Sequence, residues 1–406
     1  MTGVHRSRLF AKYLPQFGWE PIVLTIDERC YEEKLDKNLN ILIPKAQKIK
    51  RVKAFSLSKP RIIGDIGLRA FFQLYKKANE IISREKIDFV YILIPSFYLS
   101  LLGPFLHHKH GVKYGIDYID PWVHFFPGSE RIFSRHWFST KLSKLLEPIA
   151  VKRASLITSV SPSYVQPIFD RNKKLINTTK MFSFPYGWDP EEKDFIGNYK
   201  SKSQLFVANN KLKLVYTGVF MPNSVQILKE WLRCINNNID QFQDVEIHFI
   251  GTGAPKSSPN RNSIADIAKE YKLYGTIIFE HPDRIPYFDL LYHISISDGL
   301  FILGSTETHY TPSKLFNAFV TAKPVFAILH SASSAKNILD DTKWGITCSF
   351  SPNDVTYFQH QLIASFKEWK LRVTSNKWNF NYDAANIYSA RNITSQLVKV
   401  INEQLK

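Results

Sequence analysis

The sequence predicts an α/β protein made of two doubly wound, parallel-sheet domains. Three observations carry this. Short apolar runs of strand length alternate with helical apolar patterns along most of the chain, the signature of parallel strands joined by crossover helices. The alternation stops at Phe184-Pro-Tyr-Gly-Trp-Asp-Pro190 and the polar stretch 191–210, then restarts. With 44% apolar and 22% charged residues over 406, the chain can fill two cores, which excludes an intrinsically disordered protein.

Taken in order, Leu9, Phe10, Tyr13, Leu14 and Phe17 share one helical face that Gly18 closes, and Pro21–Ile26 reads as a buried strand. Ile87–Leu106 is long and apolar, but Asp88, Pro95 and the Gly103-Pro104 pair break it. It resolves into a strand at Phe89–Ile94, a turn and a helix near Phe97–His110 rather than a membrane span. Val112–Ile119 and Ser155–Val160 are further strands, the latter entered from a helix around Thr140–Arg153. After the junction, strands are predicted at Leu212–Thr217, Val245–Ile250, Ile277–Phe279, Gly299–Leu303 and Val325–Ile328. Val225, Leu228, Leu232 and Ile235 mark one intervening helix, and Ile264, Ile267, Ala268 and Tyr271 the next. Pro312 opens another, and Ala384–Leu405 is a closing helix. The expected domains are 1–190 and 191–380, with 381–406 packing back on the first.

Charge is unevenly spread. Of 53 Lys and Arg and 36 Asp and Glu, residues 1–190 hold 30 basic and 16 acidic side chains, and the remainder 23 and 20. The first half therefore expects an anionic partner: nucleic acid, an acidic membrane surface or phosphate-bearing substrates. Charge alone supports nucleic acid, since no nucleic-acid motif is present. Cys30, Cys234 and Cys348 are few, odd in number and far apart, so neither a disulfide framework nor a zinc set is predicted. His5, Arg6, Arg8 and Lys12 interrupt the first apolar stretch, which does not read as a signal peptide.

The densest chemistry lies in Leu303-Gly-Ser-Thr-Glu-Thr-His-Tyr-Thr-Pro-Ser-Lys-Leu-Phe316. It leaves a strand and enters a helix with Thr311 as N-cap and Pro312 in the first helical position. The amides of Ser313 and Lys314 would then sit at the positive helix end beside a hydroxyl and an ammonium, an arrangement that suits a diphosphate. Glu307 and Tyr310 lie on the same loop, Glu307 placed to accept hydrogen bonds from sugar hydroxyls; an ordinary capped helix with a solvated lysine fits the same spacing. Gly218, and Gly251 with Gly253, follow two strands where backbone can approach a ligand, or simply turn. In the first half, Asp120 ends a strand before Pro121 and suits a general base for an acceptor hydroxyl, or a cap for the next segment; Asp117 lies deeper in that strand. His5, Arg6 and Arg8 open the first helix, as an anion site or as a solvated basic end. No Gly-x-x-x-x-Gly-Lys-Ser/Thr loop, Gly-x-Gly-x-x-Gly turn, His-Glu-x-x-His or Asp-x-Asp triplet occurs, so no metal or cofactor is expected.

Together these segments resemble a bacterial glycosyltransferase of the GT-B type, closest to the family 4 group. Phe10–Thr25 resembles the first helix and second strand of such enzymes, and Ser159–Ser163 with Pro185–Asp189 the end of their first domain. Leu214–Gly218 resembles the opening strand of their donor domain, and Glu307–Val325 their donor-site motif. The resemblance implies two Rossmann-like domains facing a crevice and metal-independent, retaining transfer of a sugar, hexosyltransferase-like, from a nucleotide donor. A polysaccharide or lipid-linked acceptor at the inner face of the cytoplasmic membrane fits the basic first half. Carried over, Glu307 touches the donor sugar while Ser313 and Lys314 bind its diphosphate. The chain departs from the pattern in two places: Lys314 stands where many members have a second Glu, and Val219-Phe-Met-Pro222 where they carry Arg and Lys. It also begins inside the loop that follows the first strand of such enzymes, so the reading expects a central strand upstream of Met1 and unpaired neighbours without it. A non-catalytic partner of another transferase and a nucleotide-sugar epimerase of similar fold are the alternatives.

Overall fold

Strands covered on both faces are continuous apolar runs, and here they assemble into two separate sets. The computed structural model describes residues 2–33, 35–57, 64–94, 96–123, 132–201, 203–207, 209–253, 263–307, 312–351 and 355–406. Its contacts divide the chain into Met1–Gly187 with Ala390–Lys406, and Trp188–Ser389.

The first unit runs α1 (Thr2–Tyr13), β1 (Ile22–Ile26), β2 (Lys48–Val52), α2 (Ile66–Arg84), β3 (Phe89–Ile94), α3 (Leu102–His110), β4 (Lys113–Tyr118), α4 (Arg135–Val151), β5 (Leu156–Ser159), α5 (Pro162–Arg171) and β6 (Lys180–Ser183). All pairings are parallel, but the array is in two pieces, β1-β2 and β3-β4-β5-β6, with β1 and β3 each carrying one ladder partner. The stretch Phe97–Leu101 is a 3-10 turn, so the helix expected from Phe97 starts at Leu102. Gly18 closes the first helical stretch in the left-handed region at φ 80°.

The second unit continues with α6 (Pro190–Gly197), β7 (Leu212–Thr217), α7 (Val225–Asn237), β8 (Val245–Ile250), α8 (Ile264–Glu270), β9 (Ile278–His281), α9 (Tyr287–Ser295) and β10 (Gly299–Leu303). Then come α10 (Leu315–Thr321), β11 (Val325–His330), α11 (Ser334–Thr342), β12 (Gly345–Phe350), α12 (Val355–Thr374) and α13 (Tyr382–Ile387). Its six parallel strands lie in the order β12-β11-β10-β7-β8-β9. The chain builds outward from β7 to one side and then, from β10, to the other. Strand order therefore reverses between β7 and β10, the place where open α/β sheets bind ligands at the carboxyl ends of their strands. An aromatic core holds this sheet to α7 and α12: Trp231, Phe242, Phe326 and Phe366 are buried, with Phe242 stacked on Phe366 at 4.5 Å.

The closing helix expected at Ala384–Leu405 is two helices. Asn381 caps α13 through its side chain, which accepts from Ala384 N at 3.1 Å, and the helix stops at Ile387. Ser389 then bridges to Trp188, and α14 (Ala390–Leu405) returns to the first unit. There Ile393, Leu397, Val400 and Ile401 pack with Phe10, Leu156 and Phe184. Burial of each such side chain contributes about 1.5–3 kcal/mol. Gly187 is required at this crossing, because a Cβ on it would lie 2.9 Å from the Cα of Ala390.

Candidate active site

In the second unit the candidate groups gather at the reversal point. Gly218, directly after β7, has φ 92° and donates its N–H to Ile250 O at 2.8 Å; Gly251, directly after β8, has φ 72° and donates to His281 O at 2.8 Å. Both conformations favour glycine, and a Cβ at Gly218 would meet nothing within 4 Å, so open space lies over that turn. Gly253 donates to Pro282 O at 2.9 Å. Glu280 ties down the next segment, accepting from Thr252 Oγ1 at 2.5 Å, Ser263 Oγ at 2.7 Å and Ala265 N at 2.8 Å.

Across the reversal, the chain leaves β10 into Ser305, Thr306 and Glu307. Asn223, in the segment after β7, holds this loop twice: its carbonyl accepts Thr306 N at 3.1 Å, and its Nδ2 donates to Glu307 Oε1 at 2.8 Å. Glu307 is thus fixed in orientation and remains half-buried. Asn223 was not among the residues expected from sequence; a lone Asn in a loop carries no signal of a partner 84 residues on.

Tyr310 and Thr311 lie outside the described residues. Pro312–Lys314 form a turn with i to i+3 bonds, Leu315 N to Pro312 O at 3.2 Å and Phe316 N to Ser313 O at 3.2 Å. The helix begins only at Leu315 and ends at Thr321. This corrects the expectation that Ser313 and Lys314 open a helix: their amides precede it, and the case for an anion rests instead on the Lys314 ammonium. The Lys314 stem is half-buried, while its Nζ is shut off from solvent with no hydrogen-bond partner among the described residues. Nζ lies 3.5 Å from the centroid of the buried Tyr216 ring on β7, a cation–π contact. Burial pushes its pKa down to about 7. A buried ammonium without a counter-ion is costly, and an anionic ligand removes the cost.

In the first unit, Asp120 is exposed two residues past the end of β4. Burial, then the Asp120 carboxylate, raises the Tyr186 pKa well above its ordinary value, so the two lie within electrostatic reach. Asp117 is buried and accepts from Arg6 Nε at 2.5 Å, Arg6 Nη2 at 2.9 Å and Thr158 Oγ1 at 2.6 Å. Arg6 Nη1 donates to Phe184 O at 3.0 Å and Pro185 O at 3.1 Å. Arg6, expected as an anion-side residue or a solvated helix end, is neither: its anion is Asp117, and the pair ties α1 to β4. Burial, then Arg8, pushes the His5 pKa down to about 3, so His5 is neutral near pH 7 and brings no positive charge to a ligand.

No family model matches this chain, and no curated protein matches it. Solved structures do. The N-terminal domain of Candida albicans trehalose-6-phosphate phosphatase superposes with a TM-score of 0.66 at 16% identity, over 99% of this chain and 93% of that one. The α,α-trehalose 6-phosphate synthase of Burkholderia multivorans gives 0.62 at 9% identity, over 95% and 99%. HepE of Anabaena, solved in complex with UDP, gives 0.59 at 12% identity, over 98% and 96%. At such identities the likeness is one of fold: the chain has the GT-B architecture of two Rossmann-like α/β domains.

Proposed function

We propose that this chain is a glycosyltransferase, of the family 4 kind, that takes a hexose from a nucleotide-sugar donor bound in the second unit. It passes the sugar, with retained configuration and without a metal ion, to a polysaccharide or lipid-linked acceptor at the inner face of the cytoplasmic membrane. The observation that carries this reading is the buried ammonium of Lys314, without a hydrogen-bond partner among the described residues, at the point where strand order reverses. It stands beside a sheet whose turn at Gly218 has open space over it among the described residues. The UDP bound by HepE supports a nucleotide as the ligand class. In this reading Gly218, Gly251, Gly253, Ser313 and Lys314 face the diphosphate. Glu307, oriented by Asn223, contacts the donor sugar. As the bond between sugar and diphosphate breaks, charge grows on the leaving oxygen, and the Lys314 ammonium stabilises it. Asp120, exposed beyond β4, accepts the proton of the acceptor hydroxyl. Lys314 also supplies the cation that Val219–Pro222 lacks.

The test is a melting screen over UDP-, GDP-, dTDP- and CMP-sugars, followed by assay of donor hydrolysis and transfer. One donor should raise the melting temperature of the parent and of Asp120→Asn but not of Lys314→Ala, and Asp120→Asn should lose transfer alone. Donor binding without turnover in the parent would favour the non-catalytic partner, and no shift with any donor would end the proposal.

A further inference from the structure

α4 carries apolar side chains on both of its faces. A helix on the surface of a globular unit normally lays its large apolar side chains on the core and its polar ones in water. Its face toward the core carries the buried Ser143, Glu147, Ala150 and Val151 with the half-buried Leu146, and Arg171 holds Glu147 there through two bonds of 2.8 Å. The opposite face carries Phe138, Leu142, Leu145 and Ile149, spaced as one stripe along the helix, with Phe138 54% and Leu145 66% exposed. Just before the helix, Phe133 is 77% exposed and forms an aromatic cluster with Trp137 and Phe138, at centroid distances of 5.8 Å and 6.3 Å. Beside the stripe run Lys141, Lys144, Lys152 and Arg153, all exposed. The helix has a single acidic residue, Glu147, and it is on the buried side.

We propose that the outer face of α4 docks this protein on an anionic lipid bilayer, Phe133, Phe138, Leu142, Leu145 and Ile149 entering the interface while the flanking lysines meet lipid phosphates. An apolar stripe with an aromatic cluster at one end and a basic border is the composition of an interfacial helix. Charge decides the occupant: a second copy would bring two basic borders together, whereas an anionic surface attracts each of them. No helix among the described residues is long and apolar enough to cross a membrane, and docking of this kind needs none. The inference specifies the membrane named in the functional reading and rests on that part of it alone, not on the donor chemistry.

Flotation of the full chain with vesicles of phosphatidylcholine containing about one third phosphatidylglycerol, against pure phosphatidylcholine, tests this. The parent should float with the anionic vesicles and be partly released by salt. Leu142→Ser with Leu145→Ser should remain in the supernatant. Lys141→Gln with Lys144→Gln should bind about fivefold more weakly for each lysine removed. Leu371→Ser, at a position 66% exposed in the other unit, is the matched control and should float as the parent does. Equal flotation of the α4 variants and the parent, or no flotation of the parent, would overturn the proposal. So would concentration-dependent self-association abolished by the α4 serines, which would make the occupant a second copy. Donor-induced melting shifts measured on the same variants keep a failure here separate from a failure of the transferase reading.

Discussion

Replacing Lys314 by methionine is expected to yield a protein that is more stable and unable to hold its donor. Methionine keeps most of the apolar stem beside Tyr216 and removes the ammonium. Lowering this lysine from 10.5 to about 7 corresponds to on the order of 5 kcal/mol against the charged form in the folded state. The sign follows from which state holds the proton. Below about pH 7 both folded and unfolded lysine are protonated, so the parent carries the whole cost. As pH climbs from 7 toward 10.5 the folded lysine releases its proton while the unfolded one keeps it, and the parent gains stability that the methionine variant cannot gain. The advantage of Lys314→Met should therefore be a few kcal/mol near pH 6 and shrink steadily by about pH 9. Urea unfolding followed by tryptophan fluorescence reads it, since Trp188, Trp231, Trp344, Trp369 and Trp378 all lie in the second unit. A variant no more stable than the parent near pH 6, or a difference that ignores pH, would show that the ammonium is already compensated. Stability gained as binding is lost is the mark of a site strained for a ligand.

In the proposed reading the same proton sets donor affinity. Calorimetry with the nucleotide sugar found in the melting screen, whose diphosphate does not itself titrate near neutrality, should show binding weakening above about pH 7, by up to tenfold per pH unit; a flat profile would place the diphosphate elsewhere. Asn223→Ala should lower transfer about tenfold or more by freeing Glu307, at the cost of a hydrogen bond to a charged group, while affinity for the free nucleoside diphosphate stays near that of the parent. Parallel loss of both would move Asn223 into the phosphate site. In the first unit, Arg6→Met should cost about 3–5 kcal/mol of stability by leaving the buried Asp117 carboxylate without its counter-charge, and Arg6→Met with Asp117→Leu should recover much of it. A double variant as unstable as the single one would show that shape, not charge, holds α1 in place.

What was legible in the chain, and what was not, divides along the same line as these tests. β8, β10 and β11 are buried along their whole length and β7 along all but Leu212; β10 and β11 appear in the sequence as apolar runs, while Lys213 in β7 and Glu246 and His248 in β8 interrupt runs that are otherwise mostly apolar. β2 is different: Lys48-Ile-Lys-Arg-Val52 is a half-exposed strand with three basic residues, and its composition alone reads as a charged loop. The site follows the same rule. Glu307 and the glycine turns stand out as candidates because a residue just past a strand reaches the carboxyl edge whatever the sheet order, whereas the sequence places Lys314 at the opening of a helix that starts only at Leu315.

Partners brought together by sheet order leave no local trace. Asn223 and Glu307 meet because β7 and β10 are neighbours, and Arg6 meets Asp117 across 111 residues. A basic residue opening a helix therefore reads as waiting for an anion when its own carboxylate is already in place. α4 carries the point furthest. Its apolar stripe has the same spacing whether it faces core or solvent, so periodicity predicts the helix and is silent on its orientation. The inward Ser143, Leu146, Glu147, Ala150 and Val151, with the Arg171 that holds Glu147, fix which face meets the core and leave Phe138, Leu142, Leu145 and Ile149 outside.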